Sequence, residues 1–289
     1  MKGLADVEII RSVLGDAAFS FKKSLGQNFL VDPSVCPRMA EAAGQGGASA
    51  VLEIGPGIGV LTNELADRFD KVVAIELDER LRPVLAKTLG DHDNVEILFG
   101  DALDMNLAEV IDRFSPDGKI AVCANLPYYI TSPLVMKLLT SGLRIESITV
   151  MVQREAAERL TADIGSREAG AVSVAVQYYA SAETLFEVPR ESFLPSPNVD
   201  SAVMKLILRE KPPVEIDDAD AFFRFVKAAF GLRRKTMVNS LSGLGGYGKE
   251  TVSAALDRVG LSPTVRAEAL SLDRLAAVYR AIKTERTAL

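Results

Sequence analysis

Five short apolar runs, with a stretch that reads as helix in each of the four gaps between them, fill residues 49–153 and constrain the fold more than any other feature of the chain. The runs lie at 50–54, 72–77, 95–99, 120–124 and 148–152, with helical spacing at 60–69, 79–89, 107–114 and 133–141. Such alternation reads as a parallel sheet with helices on both faces. Two more strands are expected at 172–180 and 202–208. A segment with Pro189, Pro195 and Pro197 joins them without a long helix, so antiparallel pairing is expected. After Arg209 the pattern changes. Lys211-Pro212-Pro213 marks a linker, and the apolar residues beyond it (Phe222, Phe225, Val226, Ala229, then Leu256, Val259, and finally Leu272, Leu275, Val278) recur at helical spacing. Asp217-Asp218 and Ser271 are suitable caps. The expected organisation is an α/β domain over 1–210 and a small all-helical domain over 211–289.

A length of 289 residues fits one large or two unequal domains, and 48% apolar residues suffice for a sizeable core. The first residues lack the apolar centre of a signal peptide, and no run approaches the roughly 18 apolar residues that span a bilayer. Cys36 and Cys123 show neither metal nor redox spacing. A cytoplasmic protein is expected, with no membrane partner. The single histidine, His92, sits in the turn-like stretch 90–94, which argues for a loop role and against histidine-based catalysis or a histidine-ligated metal. No metal is expected. A net charge of −6 argues mildly against a nucleic-acid partner, but local clusters matter more. Two exist, Lys22-Lys23 and Arg233-Arg234-Lys235; taken alone, a three-residue basic run reads as a solvated helix face.

The first strand ends in Glu53-Ile54-Gly55-Pro56-Gly57-Ile58-Gly59 and runs into a helix. Glycines let the chain turn sharply and approach a ligand closely. Glu76 ends the second strand about 20 residues after Gly55, where a ribose-hydroxyl acceptor belongs. A nicotinamide dehydrogenase would share these features, but the glycine spacing lacks the extra residue of the dinucleotide fingerprint. Pro56 also removes an N–H donor from any pyrophosphate cradle. An adenosine ligand without phosphate, S-adenosylmethionine, suits the loop better. Asp101, ending the third strand, could accept from an adenine amino group.

The fourth strand runs into Asn125-Leu126-Pro127-Tyr128-Tyr129-Ile130. Asn125 supplies a side-chain carbonyl, Pro127 a backbone carbonyl, and Tyr128 a flat face on which a base can stack. An exocyclic amine could donate one proton to each carbonyl while its ring rests on Tyr128. Phe193, which leads into the strand beginning near Ser201, is expected to cover the other face of the base, with ordinary core packing as the alternative.

Lys23-Ser24-Leu25-Gly26-Gln27-Asn28-Phe29-Leu30, the Glu53–Gly59 loop, Gly100-Asp101-Ala102, the 125–130 cluster and Phe193-Leu194-Pro195-Ser196-Pro197-Asn198-Val199-Asp200-Ser201 follow in order. Together they resemble the rRNA adenine N6-dimethyltransferases. The run 229–241, which contains Arg233-Arg234-Lys235, is similar to the small-subunit, kasugamycin-sensitivity branch. The resemblance covers about residues 20–283. It implies a class I S-adenosylmethionine-dependent methyltransferase fold, Rossmann-like with a mainly parallel seven-stranded sheet, followed by the helical domain as an RNA-binding module. It implies dimethylation of two adjacent adenines near the 3′ end of 16S rRNA. The expected partner is that rRNA in a small-subunit precursor, and the expected state of the protein is a monomer. Carried onto this chain, Gln27, Asn28, Leu30, Gly55, Gly57, Glu76, Asp101, Ala102 and Asn125 would meet the cofactor. Asn125, Pro127, Tyr128 and Phe193 would handle the target base, and Lys23, Arg233, Arg234 and Lys235 would bind RNA. The family often has a lysine and a tyrosine in the segment that here reads Gly165-Ser166-Arg167-Glu168-Ala169-Gly170; Arg167 keeps the charge and Ala169 removes the ring. Rival readings are a large-subunit rRNA or DNA adenine methyltransferase and a non-catalytic ribosome-assembly RNA binder. The intact 125–128 cluster disfavours the binder.

Overall fold

A computed structural model describes residues 3–16, 28–115 and 118–287. The elements in chain order are α1 (Val7–Asp16), β1 (Phe29–Leu30), α2 (Val35–Gly44), β2 (Ala50–Ile54), α3 (Val60–Ala66), β3 (Lys71–Glu76), α4 (Arg82–Thr88), β4 (Val95–Phe99), α5 (Leu107–Phe114), β5 (Ile120–Asn125), α6 (Thr131–Thr140), β6 (Ile145–Gln153) and α7 (Arg154–Thr161). There follow α8 (Ala171–Tyr179), β7 (Ala180–Val188), β8 (Phe193–Leu194), β9 (Ser201–Leu208), α9 (Ala219–Phe230), α10 (Met237–Leu244), α11 (Lys249–Arg258) and α12 (Leu272–Thr287).

The chain forms two compact units, residues 1–157 with 181–208, and residues 158–180 with 209–289. The first unit holds a seven-stranded sheet in the order β4-β3-β2-β5-β6-β9-β7, and β1 pairs separately with β8. β2, β3, β4, β5 and β6 run parallel, whereas β9 lies antiparallel to β6 with Gln153 opposite Ser201. The near-continuous Val/Ile/Leu/Ala runs of β2 and β5 are buried along their length, as strands covered on both faces must be. α2 and α3 supply Met39, Ala40 and Leu65 to one cluster with Val51, Cys123 and Met151; α1 and α4 supply Ile10, Val84 and Leu85 to another with Phe29 and Ile58. β2 has β3 on one side and β5 on the other, so the winding of the sheet reverses there. Ligands of open parallel sheets bind outside the carboxyl ends of the strands at such a reversal.

The second unit is built on Phe222, Phe225, Leu241, Leu256, Leu275 and Val278, joined by Val174 and Tyr178 from α8. Asp218 caps α9 by accepting from the Ala221 N–H at 2.9 Å, and Ser271 accepts from Arg274 at the start of α12.

The strand expected at 172–180 is instead α8, and β9 takes β6 and β7 as its neighbours. Val172, Val174 and Val176 alternate like strand residues, but Val172–Val176 and Tyr178 are all buried. A helix buried nearly all round lacks the polar stripe that reveals its period. Its start is held by Ser173, whose hydroxyl accepts from the Gly170 N–H at 3.0 Å and donates to the Arg159 carbonyl at 2.6 Å. The second unit therefore takes in residues 158–180, which a single cut near 210 would leave with the sheet. Among the described residues no helix is long and apolar enough to cross a membrane.

Candidate active site

The loop after β2 turns on three glycines with left-handed backbone, Gly55 (φ 74°), Gly57 (φ 59°) and Gly59 (φ 90°), a region that L side chains seldom adopt. A Cβ on Gly57 would lie 3.3 Å from the Phe29 ring, so the absence of side chains also makes room. The loop forms the floor of a cavity in the first unit, at the carboxyl ends of β2, β3 and β5.

Three carboxylates line this cavity, Glu53, Glu76 and Asp101. No lysine, arginine or histidine lines it among the described residues. Glu76 is buried; its Oε2 accepts from the Gly57 N–H at 3.1 Å and its Oε1 from the Asp78 N–H at 2.8 Å. Burial pushes its pKa up, and these backbone N–H bonds oppose the rise. Glu53 is 1% exposed, and its Oε2 has no hydrogen-bond partner. Burial pushes its carboxyl up to about 8; Thr62 counteracts this without reaching hydrogen-bond geometry, and Glu76 adds to it. Asp101 Oδ1 accepts from the Leu103 N–H at 2.8 Å.

On the opposite wall, Asn125 ends β5 with Met151 beside it, and the Leu126 N–H donates to the Met151 carbonyl at 3.0 Å. This pairing carries the strand register through to the turn and holds Asn125 at the cavity rather than in the core. The Pro127 carbonyl accepts from the Ile130 N–H at 3.1 Å, leaving one of its two lone pairs. Tyr128 is half-buried, its hydroxyl 3.0 Å from Ser201 Oγ at the start of β9; burial raises its pKa. Tyr129 is 55% exposed at the rim. Phe193 lines the cavity but is only 5% exposed, packed with Leu30, Val35 and Met39. Core packing and cavity wall are therefore both roles of that ring.

Asn28, Leu30, Gly55, Gly57, Glu76, Asp101, Ala102, Asn125, Pro127, Tyr128 and Phe193 thus line one cavity. Gln27 and Lys23 lie outside the described residues. Arg233, Arg234 and Lys235 are exposed in the turn between α9 and α10, not on a helix face, and the Arg233 guanidinium donates to the Arg167 carbonyl at 2.6 Å. Ala169 is buried, so its methyl offers nothing to solvent. His92 lies in the turn before β4, its Nε2 2.9 Å from Asn63 Oδ1. Sequence reading passed over Glu53 as a site residue. The signal was present, since an acidic residue inside an otherwise apolar strand calls for an explanation.

A parallel sheet with one antiparallel strand near its edge, and a glycine loop with an acidic second strand at the reversal, define a class I methyltransferase. The family model for ribosomal RNA adenine dimethylase matches residues 18–283. The chain belongs to the ribosomal RNA adenine dimethylase family. It is 47% identical to a ribosomal RNA small subunit methyltransferase A from Streptococcus sanguinis, over 98% of this chain and 99% of that protein. Its identity to the protein of the same name from Geobacillus thermodenitrificans is 46%, over 97% of each. Among solved structures it is similar to the 23S rRNA methyltransferase ErmE (31% identity, TM-score 0.63, covering 89% of this chain and 100% of that one). It shares the fold of a dimethyladenosine transferase from Plasmodium falciparum (24% identity, TM-score 0.73, covering 89% and 98%).

Proposed function

We propose that the protein uses S-adenosylmethionine to dimethylate N6 of two adjacent adenines near the 3′ end of 16S rRNA during small-subunit biogenesis. One observation carries the cofactor assignment: a glycine-floored cavity lined by the carboxylates of Glu76 and Asp101, by the Glu53 carboxyl group that burial favours as the neutral acid, and by no cation among the described residues. An anionic dinucleotide would meet repulsion there, whereas a sulfonium with an ammonium group and no phosphate is attracted. Near-full-length identity of 47% to a small-subunit enzyme, against 31% to a 23S enzyme, favours the small-subunit substrate.

In this reading Asn28, Leu30, Gly55 and Gly57 enclose the methionine end, Glu76 accepts from the ribose hydroxyls, and Asp101 with Ala102 meets the adenine. Bound there, S-adenosylmethionine would supply a methyl group already activated by its sulfonium. The protein then has mainly to orient the nucleophile, which can contribute several kcal/mol. Asn125 Oδ1 and the remaining lone pair of the Pro127 carbonyl accept from the N6 amine, drawing its lone pair out of the ring and toward the methyl group. The amine proton becomes acidic only as the new bond forms, so no strong base is needed. Tyr128 stacks on the base, with the exposed edge of Phe193 bounding the other side; base–aromatic stacking is worth about 1–3 kcal/mol. Arg233, Arg234 and Lys235 bind RNA phosphates.

The test is incubation with methyl-labelled S-adenosylmethionine and unmethylated small subunits, large subunits or duplex DNA. Label is expected in the small-subunit RNA as dimethyladenosine, at two neighbouring positions. Label in large-subunit RNA or DNA alone, or none at all, would overturn the reading.

A further inference from the structure

We infer that Lys137 is a positioning residue for the Asp101 carboxylate, acting through a single peptide group. The inference rests on the reading that Asp101 meets the cofactor's adenine. Lys137 lies on α6, and its ammonium converges on three backbone carbonyls of the turn after β4: Ala102 at 3.0 Å, Leu103 at 2.6 Å and Met105 at 2.7 Å. An ammonium has three N–H donors and no acceptor, so this set uses all of them.

The peptide joining Ala102 to Leu103 is held at both ends. Its oxygen accepts from Lys137, and its N–H donates to Asp101 Oδ1 at 2.8 Å. A hydrogen bond at the carbonyl polarises the amide and strengthens its N–H as a donor. Lys137 therefore sets the plane of the peptide, and the peptide sets the rotation of the carboxylate. The turn also closes on the Asp101 carbonyl, which accepts from Asp104 at 3.0 Å and Met105 at 2.9 Å. With Oδ1 committed, the carboxylate presents its other oxygen in a fixed direction at the cavity wall. Because α6 starts directly after Ile130, the same lysine joins this turn to the helix that follows the Asn125 cluster.

A lysine that merely capped the turn would alter stability and leave base recognition alone, which is what the experiment separates. Dissociation constants of the full chain are measured by calorimetry for S-adenosylhomocysteine and for S-inosylhomocysteine, in which an oxygen replaces the 6-amino group, alongside thermal midpoints. Wild type is expected to prefer the adenine ligand. Lys137→Met should reduce that preference about tenfold, the scale of one lost hydrogen bond to a charged group. Lys137→Arg keeps the charge but cannot meet three converging carbonyls with one planar fork, and should reduce it about threefold. Asp101→Ala, which removes the acceptor, is the control. If Asp101→Ala abolishes the preference while Lys137→Met retains the wild-type ratio, whatever its midpoint, the role of Lys137 is overturned and that of Asp101 stands. If Asp101→Ala itself retains the ratio, the adenine reading of Asp101 falls and the role of Lys137 with it. Should Lys137→Met not fold, a wild-type ratio in Lys137→Arg overturns the inference.

Discussion

Glu53 keeps its proton to about pH 8 in the folded chain because burial disfavours the anion, against an ordinary value of 4.5. The sign of its effect on stability follows. Between these values the folded chain binds more protons at this site than the unfolded chain, so the stabilisation is complete below about pH 4.5 and is lost as pH rises through about 8. Glu53→Gln keeps the shape without the ionisation. Thermal midpoints of the ligand-free variant should gain on wild type from pH 5 to 8 and hold a constant lead above about pH 9. A shift of roughly 2–4 °C per kcal/mol makes the divergence measurable, and a flat difference across the range would refute the buried-acid account. Asn125 is the other decisive residue. Asn125→Ala removes the acceptor proposed for the N6 amine, and is expected to lower methyl transfer by about a hundredfold or more. Its RNA affinity, measured by filter binding, should stay within about twofold of wild type; retained turnover would defeat the proposed mechanism.

At the scale of the element, the loop from β2 to α3 is the most demanding piece of backbone. Gly57→Ala places a methyl 3.3 Å from the Phe29 ring at φ 59°, a left-handed conformation that costs an L residue roughly 1–2 kcal/mol. The variant should melt lower and bind S-adenosylmethionine more weakly; wild-type affinity would mean the loop does not approach the ligand. This loop was legible in the sequence because its chemistry is local, and so were the positions of Glu76, Asp101 and Asn125 along the cavity, since each ends or closely follows a short apolar run. The register that brings those strand ends together follows from the parallel pairing that the alternation implied. α8 was not legible, since Val172–Val176 alternate like a strand and only the packing of Val174 and Tyr178 against Phe222, Phe225 and their neighbours decides for helix. β7 was missed because most of its residues are at least partly exposed, as on a sheet edge, so Thr184-Leu185-Phe186 gave no buried run. Phe222, fully buried and in ring contact with Tyr178, Phe223, Phe225 and Tyr279, tests that second core. Phe222→Ala should cost about 3–5 kcal/mol in chemical denaturation followed by helical circular dichroism. A cost below about 1 kcal/mol would show that these rings are not a packed core.

For the whole molecule the question is how a chain with 39 acidic and 33 basic side chains engages RNA. Its surplus of negative charge is put partly to use, since Glu76 and Asp101, beside the neutral acid Glu53, gather in the cavity proposed for a cationic cofactor. RNA must then be met by local positive charge, because exposed charges more than about 10 Å apart are largely screened at 0.1 M salt. Arg233, Arg234 and Lys235 are the proposed site, adjacent in sequence and all exposed. Each phosphate neutralised releases bound counterions, and log affinity falls against log salt by about 0.7 per contact on single strands and 0.9 on duplex. Replacing all three with glutamine should therefore weaken binding to 16S rRNA and make the slope shallower by about 2–3. Binding of S-adenosylmethionine, a small ligand whose proposed cavity lies in the other compact unit, should keep its wild-type dissociation constant, which separates loss of phosphate contacts from general damage. A salt slope unchanged by the triple substitution would mean that the phosphates are gripped elsewhere on the chain.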